Sequence, residues 1–315
     1  MCNLKNDSRL VLIADQSIQN WVNLKNIKIS IDELTIVIPM TLKTWESNYR
    51  KWILLPFVRP CGAGIQVFDV NVSLTKNNKN KKHYKQVAYI EMPKYNYDKI
   101  RVDFNPNHSM DSEGGKWLIG MLQMLPNKHF SRLDIAFDIL DFPQVASYDF
   151  WTYSLSKNVY YGKNQNVETK YWGTRSSLKQ IRLYDKKLER KKFGENVSYT
   201  SWWRLEFQLR GVAVNNYFRI IDSMLDSFYI PNYKSSALTD NQQNKVLRMM
   251  IDKDYYGCQT KSTRQRLRKL MKKARPDNSI SSVLKYVFKS NNDLIYDELI
   301  FYLSAIGVSC IDCGG

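Results

Sequence analysis

One short pattern recurs four times between residues 101 and 206: "RVD" (101–103), "RLD" (132–134), "RLY" (182–184) and "RLE" (204–206). Each sits in a longer period-two alternation. In "RLDIAFD", Leu133, Ile135 and Phe137 alternate with Arg132, Asp134, Ala136 and Asp138. In "IRLYDKK", Ile181 and Leu183 alternate with Arg182, Tyr184 and Lys186. In "WRLEFQLR", Trp203, Leu205, Phe207 and Leu209 alternate with Arg204, Glu206, Gln208 and Arg210. Side chains two apart in a strand share a face, whereas a helix repeats every 3.6 residues. The pattern therefore demands strands with one apolar and one polar face. If these strands are neighbours, Asp103, Asp134, Tyr184 and Glu206 converge on one face lined with arginine. The plain alternative is a solvated face with cross-strand ion pairs.

The remaining segments build on this frame. "IDELTIVIPM" (31–40) reads as a strand stopped by Pro39, and "GIQVFDVNVSL" (64–74) as a strand that "QVAYIEM" (86–92) rejoins antiparallel. "KIRVDFNPN" (99–107) is a further strand ended by Pro106. A helix over about 111–125 starts at Asp111 or Ser112 and stops before Pro126. Gly211 closes the last strand. Helical periodicity then takes over, near 213–228, 239–252, 262–275, 279–288 and 291–306. The expected fold class is α+β: a largely antiparallel sheet carrying the active site, with a mainly helical C-terminal domain. The expected division is 1–212 for the sheet domain and 213–315 for the helical one.

Charge narrows the partner. Lys and Arg number 47 against 30 Asp and Glu, a formal +17, which points to a polyanion. The longest apolar run, "WLIGMLQML" at 117–125, is far too short to span a bilayer, and "MCNLKNDSRL" lacks the apolar core of a signal peptide. The expectation is a cytoplasmic protein with no membrane partner. The three histidines, His83, His108 and His129, are scattered, which argues against a two-histidine metal motif. No RHxxR string of a tyrosine recombinase occurs. Cys310 and Cys313 form a lone CxxC without the second pair that a zinc ribbon needs, and read as a free tail.

The polar residues support one chemistry together. Carboxylates such as Asp134 and Glu206 are hard oxygen ligands suited to Mg²⁺ or Mn²⁺. Arginine clamps phosphate bidentately. A tyrosine can attack phosphorus to form a phosphotyrosine. With a reference pKa near 10, the phenol needs roughly 4 kcal/mol of help at pH 7. Arg182 and Lys186 are placed to supply part of it. Tyr153, Tyr160, Tyr161 and Tyr171 lie close in sequence and read as core or base-stacking residues rather than nucleophiles.

The string "YWGTRSSLKQIRLYDKKLER" resembles the tyrosine signature of the Rep_trans family of rolling-circle plasmid replication initiators. Gly173, Arg175 and Ser177 precede Arg182, Tyr184, Asp185 and Lys186 in the family's order. "RLDIAFD" resembles the family's upstream acidic strand and "WWRLEFQLR" its downstream Arg-x-Glu strand. The likeness covers about 99–211 well and the rest loosely. It implies a protein that binds its plasmid's double-strand origin and nicks one strand. The enzyme is then joined through tyrosine to the 5′ phosphate, leaving a 3′-OH primer, and later rejoins the strand. Carried over, Tyr184 is the nucleophile, with Arg182 and Lys186 beside it. Asp134 and Glu206 match the acidic positions expected to hold the metal, with Asp138 and Asp103 as weaker candidates. A homodimer and a recruited host helicase are further implications. Relaxases of conjugative or integrative elements share these motifs, and a non-enzymatic DNA-binding protein is the alternative of another class.

"KSTRQRLRKLMKKARPD" (261–277) carries the DNA-binding signal. Ser262 or Thr263 can cap a helix in which Leu267, Leu270, Met271 and Ala274 form an apolar stripe. Arg264, Arg266, Arg268, Lys269, Lys272, Lys273 and Arg275 occupy the rest without one acid. A purely solubilising surface mixes signs, so this helix is expected to contact DNA. Arginine can read guanine edges, whereas lysine mostly positions on phosphate. Arg175 and Arg204 are further candidate DNA contacts. The "KNNKNKK" loop (76–82) reads equally as a phosphate contact or a turn.

Overall fold

The computed structural model describes residues 26–74, 80–108, 110–152, 156–252, 254–275 and 280–308. Cys310, Cys313, Tyr153 and most of the 76–82 loop lie outside them. The described chain forms two compact units. The first gathers 30–136, 207–217 and 292–308; the second gathers 26–29, 137–206 and 218–291. The expected division at 212/213 marks where strands give way to helices. The compact units run otherwise, each mixing sheet and helix from both sides of it.

In the first unit the strands are β1 (Ile27–Pro39), β2 (Val58–Cys61), β3 (Gly64–Leu74), β4 (Asn80–Glu91), β5 (Lys99–Phe104) and β6 (His129–Leu140). Their order is β2-β3-β4-β5-β1-β6. The β2–β3, β3–β4, β4–β5 and β5–β1 pairs are antiparallel. Leu34, Ile36 and Ile38 of β1 and Ile100, Val102 and Phe104 of β5 are buried, as the alternation requires. Helix α1 (Leu42–Trp52) was not foreseen. Thr41 caps it by accepting from the Thr44 amide at 3.3 Å, and its Trp45 is buried. Helix α2 (Glu113–Met124) buries Leu118, Met121 and Leu122, and Ser112 caps it as expected. Its first turn lies so close to β3 that a Cβ at Gly114 would meet the Phe68 carbonyl at 2.4 Å.

In the second unit the order is β6-β10-β9-β8-β7. The strands are β7 (Lys157–Tyr161), β8 (Val167–Trp172), β9 (Lys179–Asp185) and β10 (Trp202–Arg210). Strand β8 ends at Trp172. Gly173, at φ +93°, then opens a turn closed by Thr174 and Ser177, whose hydroxyls lie 2.8 Å apart. Helices α3 (Lys186–Lys192), α4 (Tyr217–Ser227), α5 (Asp240–Ile251), α6 (Lys261–Lys273) and α7 (Ile280–Ser290) follow, and α8 (Asn292–Ala305) belongs to the first unit. The start expected at 213 is displaced because Gly211–Asn216 forms a 3-10 turn first. The second unit's core stacks Phe150 on Phe228 at 4.1 Å, with Trp172 edge-on to Phe228 at 5.0 Å. Helices α5 and α6 share a smaller core of Val246, Met249, Leu267, Met271 and Ala274.

A solvated polar face is not what the chain builds. Asp134, Asp138, Lys186, Arg204, Glu206 and Gln208 are all buried, as is Tyr184. Alternation separated the apolar from the polar side correctly, but it carries no information on whether the polar side is covered.

Candidate active site and nucleic-acid interface

Tyr184 stands near the end of β9, and the residue after it explains the local turn. Asp185 caps α3, accepting from the Leu188 amide at 2.8 Å. An acceptor side chain at this position satisfies an amide that the helix leaves open. The cap starts α3 at Lys186, whose ammonium folds back to 3.3 Å from the Tyr184 hydroxyl. Glu189, one turn on, pairs with the same ammonium. Glu189 offsets the cost of a cation in the first turn of a helix. The sequence holds this signal in the order Tyr-Asp-Lys-Lys-Leu-Glu, where Asp185 enters the sequence reading only as a member of the tyrosine motif and Glu189 does not enter it.

Arg182 lies two residues back on the same face, its guanidinium carbon 3.9 Å from the Tyr184 ring centroid. It also reaches over Tyr171 at 5.8 Å, from the strand where Arg182 and Tyr171 are in register. Its Nη1 is 3.6 Å from Glu206 Oε2 on β10, and its Nε has no hydrogen-bond partner among the described residues. Burial works against the Arg182 charge, but Glu206, Tyr184 and Tyr171 outweigh it and hold the group above its ordinary value. The second unit thus brings Tyr184, Arg182, Lys186 and Glu206 together. Tyr184 is only 4% exposed and Glu206 only 1%.

Asp138 and Arg204, also of the second unit, form a closed pair. Arg204 donates Nε to Oδ1 and Nη2 to Oδ2, each at 2.7 Å, and Trp202 Nε1 adds a third bond to Oδ1 at 2.6 Å. Arg204 was expected to touch DNA. It is buried with its fork on Asp138. Asp134 lies in the first unit with both oxygens on Arg132, at 2.8 and 2.5 Å; Arg132 also binds Glu33 at 2.5 Å. Burial pushes the Asp134 carboxyl up to about 6 against the pull of Arg132. Burial likewise raises Glu33 to about 7.

A hard cation needs several oxygens directed at one point. Asp134 and Asp138 each face a bidentate arginine, and Glu206 is paired with Arg182. Among the described residues no group of three or more His, Cys, Asp or Glu is placed to hold a metal ion. Each carboxylate of the expected donor set is paired with an arginine in this structure, Asp134 in the first unit and Asp138 and Glu206 in the second.

Arg175 is exposed at the β8–β9 turn. On α6, Arg266, Arg268, Lys269, Lys272 and Lys273 are exposed and Arg264 is half-buried, while Leu267, Met271 and Ala274 are buried and Leu270 is partly so. The expected stripe therefore holds the helix down and presents its cations outward. The cap is Thr260, accepting from the Thr263 amide at 3.3 Å, rather than Ser262 or Thr263. Arg275 is tied to Asp226 at 3.0 Å. No described helix is long and apolar enough to cross a membrane.

Fold and site together define an α+β protein with an arginine- and lysine-flanked tyrosine and a basic helix. No family model matches the chain. A replication initiation protein of Staphylococcus aureus is 27% identical over 284 residues, covering 87% of this chain and 84% of that protein. Two other replication initiation proteins of S. aureus are 28% and 29% identical over 230 and 232 residues, each spanning 70% of this chain and 71% of the relative. The solved rolling circle replication initiator protein from Geobacillus stearothermophilus is a weak likeness, with TM-score 0.35 and 16% identity over 68% of this chain and 90% of that one. The chain resembles replication initiation proteins over most of its length, in agreement with the likeness of its tyrosine strand.

Proposed function

We propose that this chain initiates rolling-circle replication of a plasmid by nicking one strand at its double-strand origin. The observation that carries the reading is Tyr184, with Arg182 over its ring at 3.9 Å and Lys186 at 3.3 Å from its hydroxyl. In the step proposed, the Tyr184 oxygen bonds to phosphorus and the bond from phosphorus to the 3′ oxygen breaks. The phenol gives up its proton and the leaving oxygen gains one. Lys186 donates to the oxygen as it becomes anionic, and Arg182 meets the phosphate. The product is a 5′-phosphotyrosine and a 3′-OH primer, and reversal rejoins the strand. Because Arg182 covers the Tyr184 ring, a phosphate that draws the guanidinium toward itself also uncovers the nucleophile.

The exposed cations of α6 and Arg175 are the DNA contacts in this reading. The S. aureus relatives are named replication initiation proteins, which supports a role in starting replication. The expected Mg²⁺ or Mn²⁺ belongs to the proposal only as a requirement to test, since its ligands are now matched to arginines; chelation that leaves nicking intact removes it. A homodimer and a recruited host helicase, implied by the resemblance, are tested by light scattering and by co-purification on nicked origin DNA.

The deciding experiment incubates supercoiled origin plasmid with wild type and Tyr184→Phe and maps the DNA-linked peptide by mass. Wild type should nick and carry the adduct at Tyr184, while the Phe variant binds the origin but forms none. An adduct in the Phe variant refutes the assignment. A supercoiled plasmid carrying a transfer origin separates initiator from relaxase.

A further inference from the structure

The face that holds Tyr184 continues across two more strands. Tyr184 is in register with Thr169, and Thr169 with Tyr160; Arg182 is in register with Tyr171. Residues in register share a face, so Tyr184, Arg182, Tyr171 and Tyr160 lie on one side of β9, β8 and β7. They are also in touch. Arg182 lies over the rings of Tyr184 and Tyr171 at 3.9 and 5.8 Å, and Tyr171 meets Tyr160 edge-on at 5.7 Å. Exposure rises along the row. Tyr184 is 4% exposed, the Arg182 side chain 29%, Tyr171 is half-buried, and Tyr160 on the last strand of the order is 59% exposed.

A ring at that exposure adds little to a core, and a row in which a guanidinium bridges Tyr184 and Tyr171, and Tyr171 meets Tyr160, is an unusual surface to leave open. None of the residues sharing this face on β7, β8 and β9 is acidic. Flat rings and a guanidinium plane beside a phosphate-seeking cation are what unpaired bases stack on. Paired bases offer no free faces, so the occupant with matching chemistry is a single strand.

We propose that single-stranded DNA flanking the scissile phosphate lies along this row, with one base against Tyr171 and a neighbouring base against Tyr160. Both are positioning residues that seat the phosphate at Tyr184. The proposal rests on the reading of Tyr184 as the nucleophile for its direction, but the platform can be tested apart from the chemistry.

The probe is an oligothymidylate of about 12 nucleotides carrying 2-aminopurine. It is titrated into the full-length protein bearing Tyr184→Phe, alone and with Tyr160→Ala, Tyr171→Ala, Tyr160→Phe or Tyr171→Phe. Each alanine should weaken single-strand binding about 5- to 100-fold and relieve the stacking quench. Each phenylalanine should keep both, and duplex binding should not change. Alanine variants that bind and quench like their parent overturn the platform. So does Tyr160→Ala that alters only the oligomeric state by light scattering, which would make β7 a contact between copies of this chain. Adduct formation by the otherwise wild-type protein is scored separately. Ring-dependent binding without an adduct sinks the nucleophile and leaves the platform; an adduct with ring-independent binding sinks the platform alone.

Discussion

Arg204 can be assigned to architecture or to DNA by one substitution. Arg204→Met keeps the stem and removes the fork that meets both oxygens of Asp138 at 2.7 Å. Both residues are buried, so the Asp138 carboxylate would keep only the Trp202 bond in a site with little water. Breaking one side of such a pair costs about 3–5 kcal/mol, because the remaining charge stays buried without its counter-ion. With an m-value of about 3 kcal/mol/M in urea, the unfolding midpoint should fall by about 1–1.7 M. The assay is urea unfolding by circular dichroism, comparing midpoints at constant slope. Removing both charges, as Asp138→Leu with Arg204→Met, should recover about 2 kcal/mol of the loss, since an apolar pair of similar volume is often neutral. The double variant still leaves Trp202 Nε1 without its acceptor, which limits the recovery. The folded fraction of Arg204→Met should bind origin DNA with an unchanged salt slope. If the variant instead loses less than about 1 kcal/mol and the salt slope drops by about one phosphate contact, Arg204 is a DNA ligand and the architectural argument fails.

Other outcomes follow from the same structure. Asp185→Ala removes the α3 cap and should cost about 1 kcal/mol; because the cap also sets Lys186, adduct formation should fall more than stability does, and Asp185→Asn should restore both. Lys170 is buried with its ammonium 2.7 Å from the Tyr148 carbonyl, and burial lowers it to about 8. A lowered base costs stability in full below its folded value, where both states hold the proton, and the cost lifts as pH rises from about 8 toward 10.5, where the unfolded chain alone holds it. Wild type should therefore gain about 2 kcal/mol on Lys170→Met between pH 7 and 10; parallel curves would count against a buried charge. Reversing Lys269, Lys272 and Lys273 to Glu should weaken origin binding and flatten its log–log salt slope by about 3, leaving thermal stability nearly unchanged because all three are exposed. Unchanged affinity would make α6 an ordinary solvent face.

What could be read in advance was whatever period and neighbours decide. The strands around Leu133, Leu183 and Leu205 were legible because each alternates over at least five residues, and α2 because Ser112 precedes its apolar stripe. Helix α1 carries its own signal in Thr41, which precedes a stretch with Trp45 and Trp52. The site was legible only as a set of faces. Period two put Arg182, Tyr184 and Lys186 on one side, yet it could not say that β10 would lie between β6 and β9, since that order joins segments far apart in the chain. Nor could it say how the charges would be shared. The four Arg–aliphatic–X repeats look equivalent in sequence, but the fold uses them differently. Arg101 pairs with Asp103 and Arg132 with Asp134 on their own strands, Arg204 reaches across to Asp138, and Arg182 turns onto the Tyr184 ring with Glu206 at 3.6 Å. Only in the tyrosine strand does the third residue lack a carboxylate. The arginine there has no counter-ion two residues on, and among the described residues its Nε has no hydrogen-bond partner. In the proposed reading, replacing one carboxylate by a phenol in a repeated structural motif supplies both the nucleophile and the cation beside it, and the repeat itself is the sequence signal that points to Tyr184.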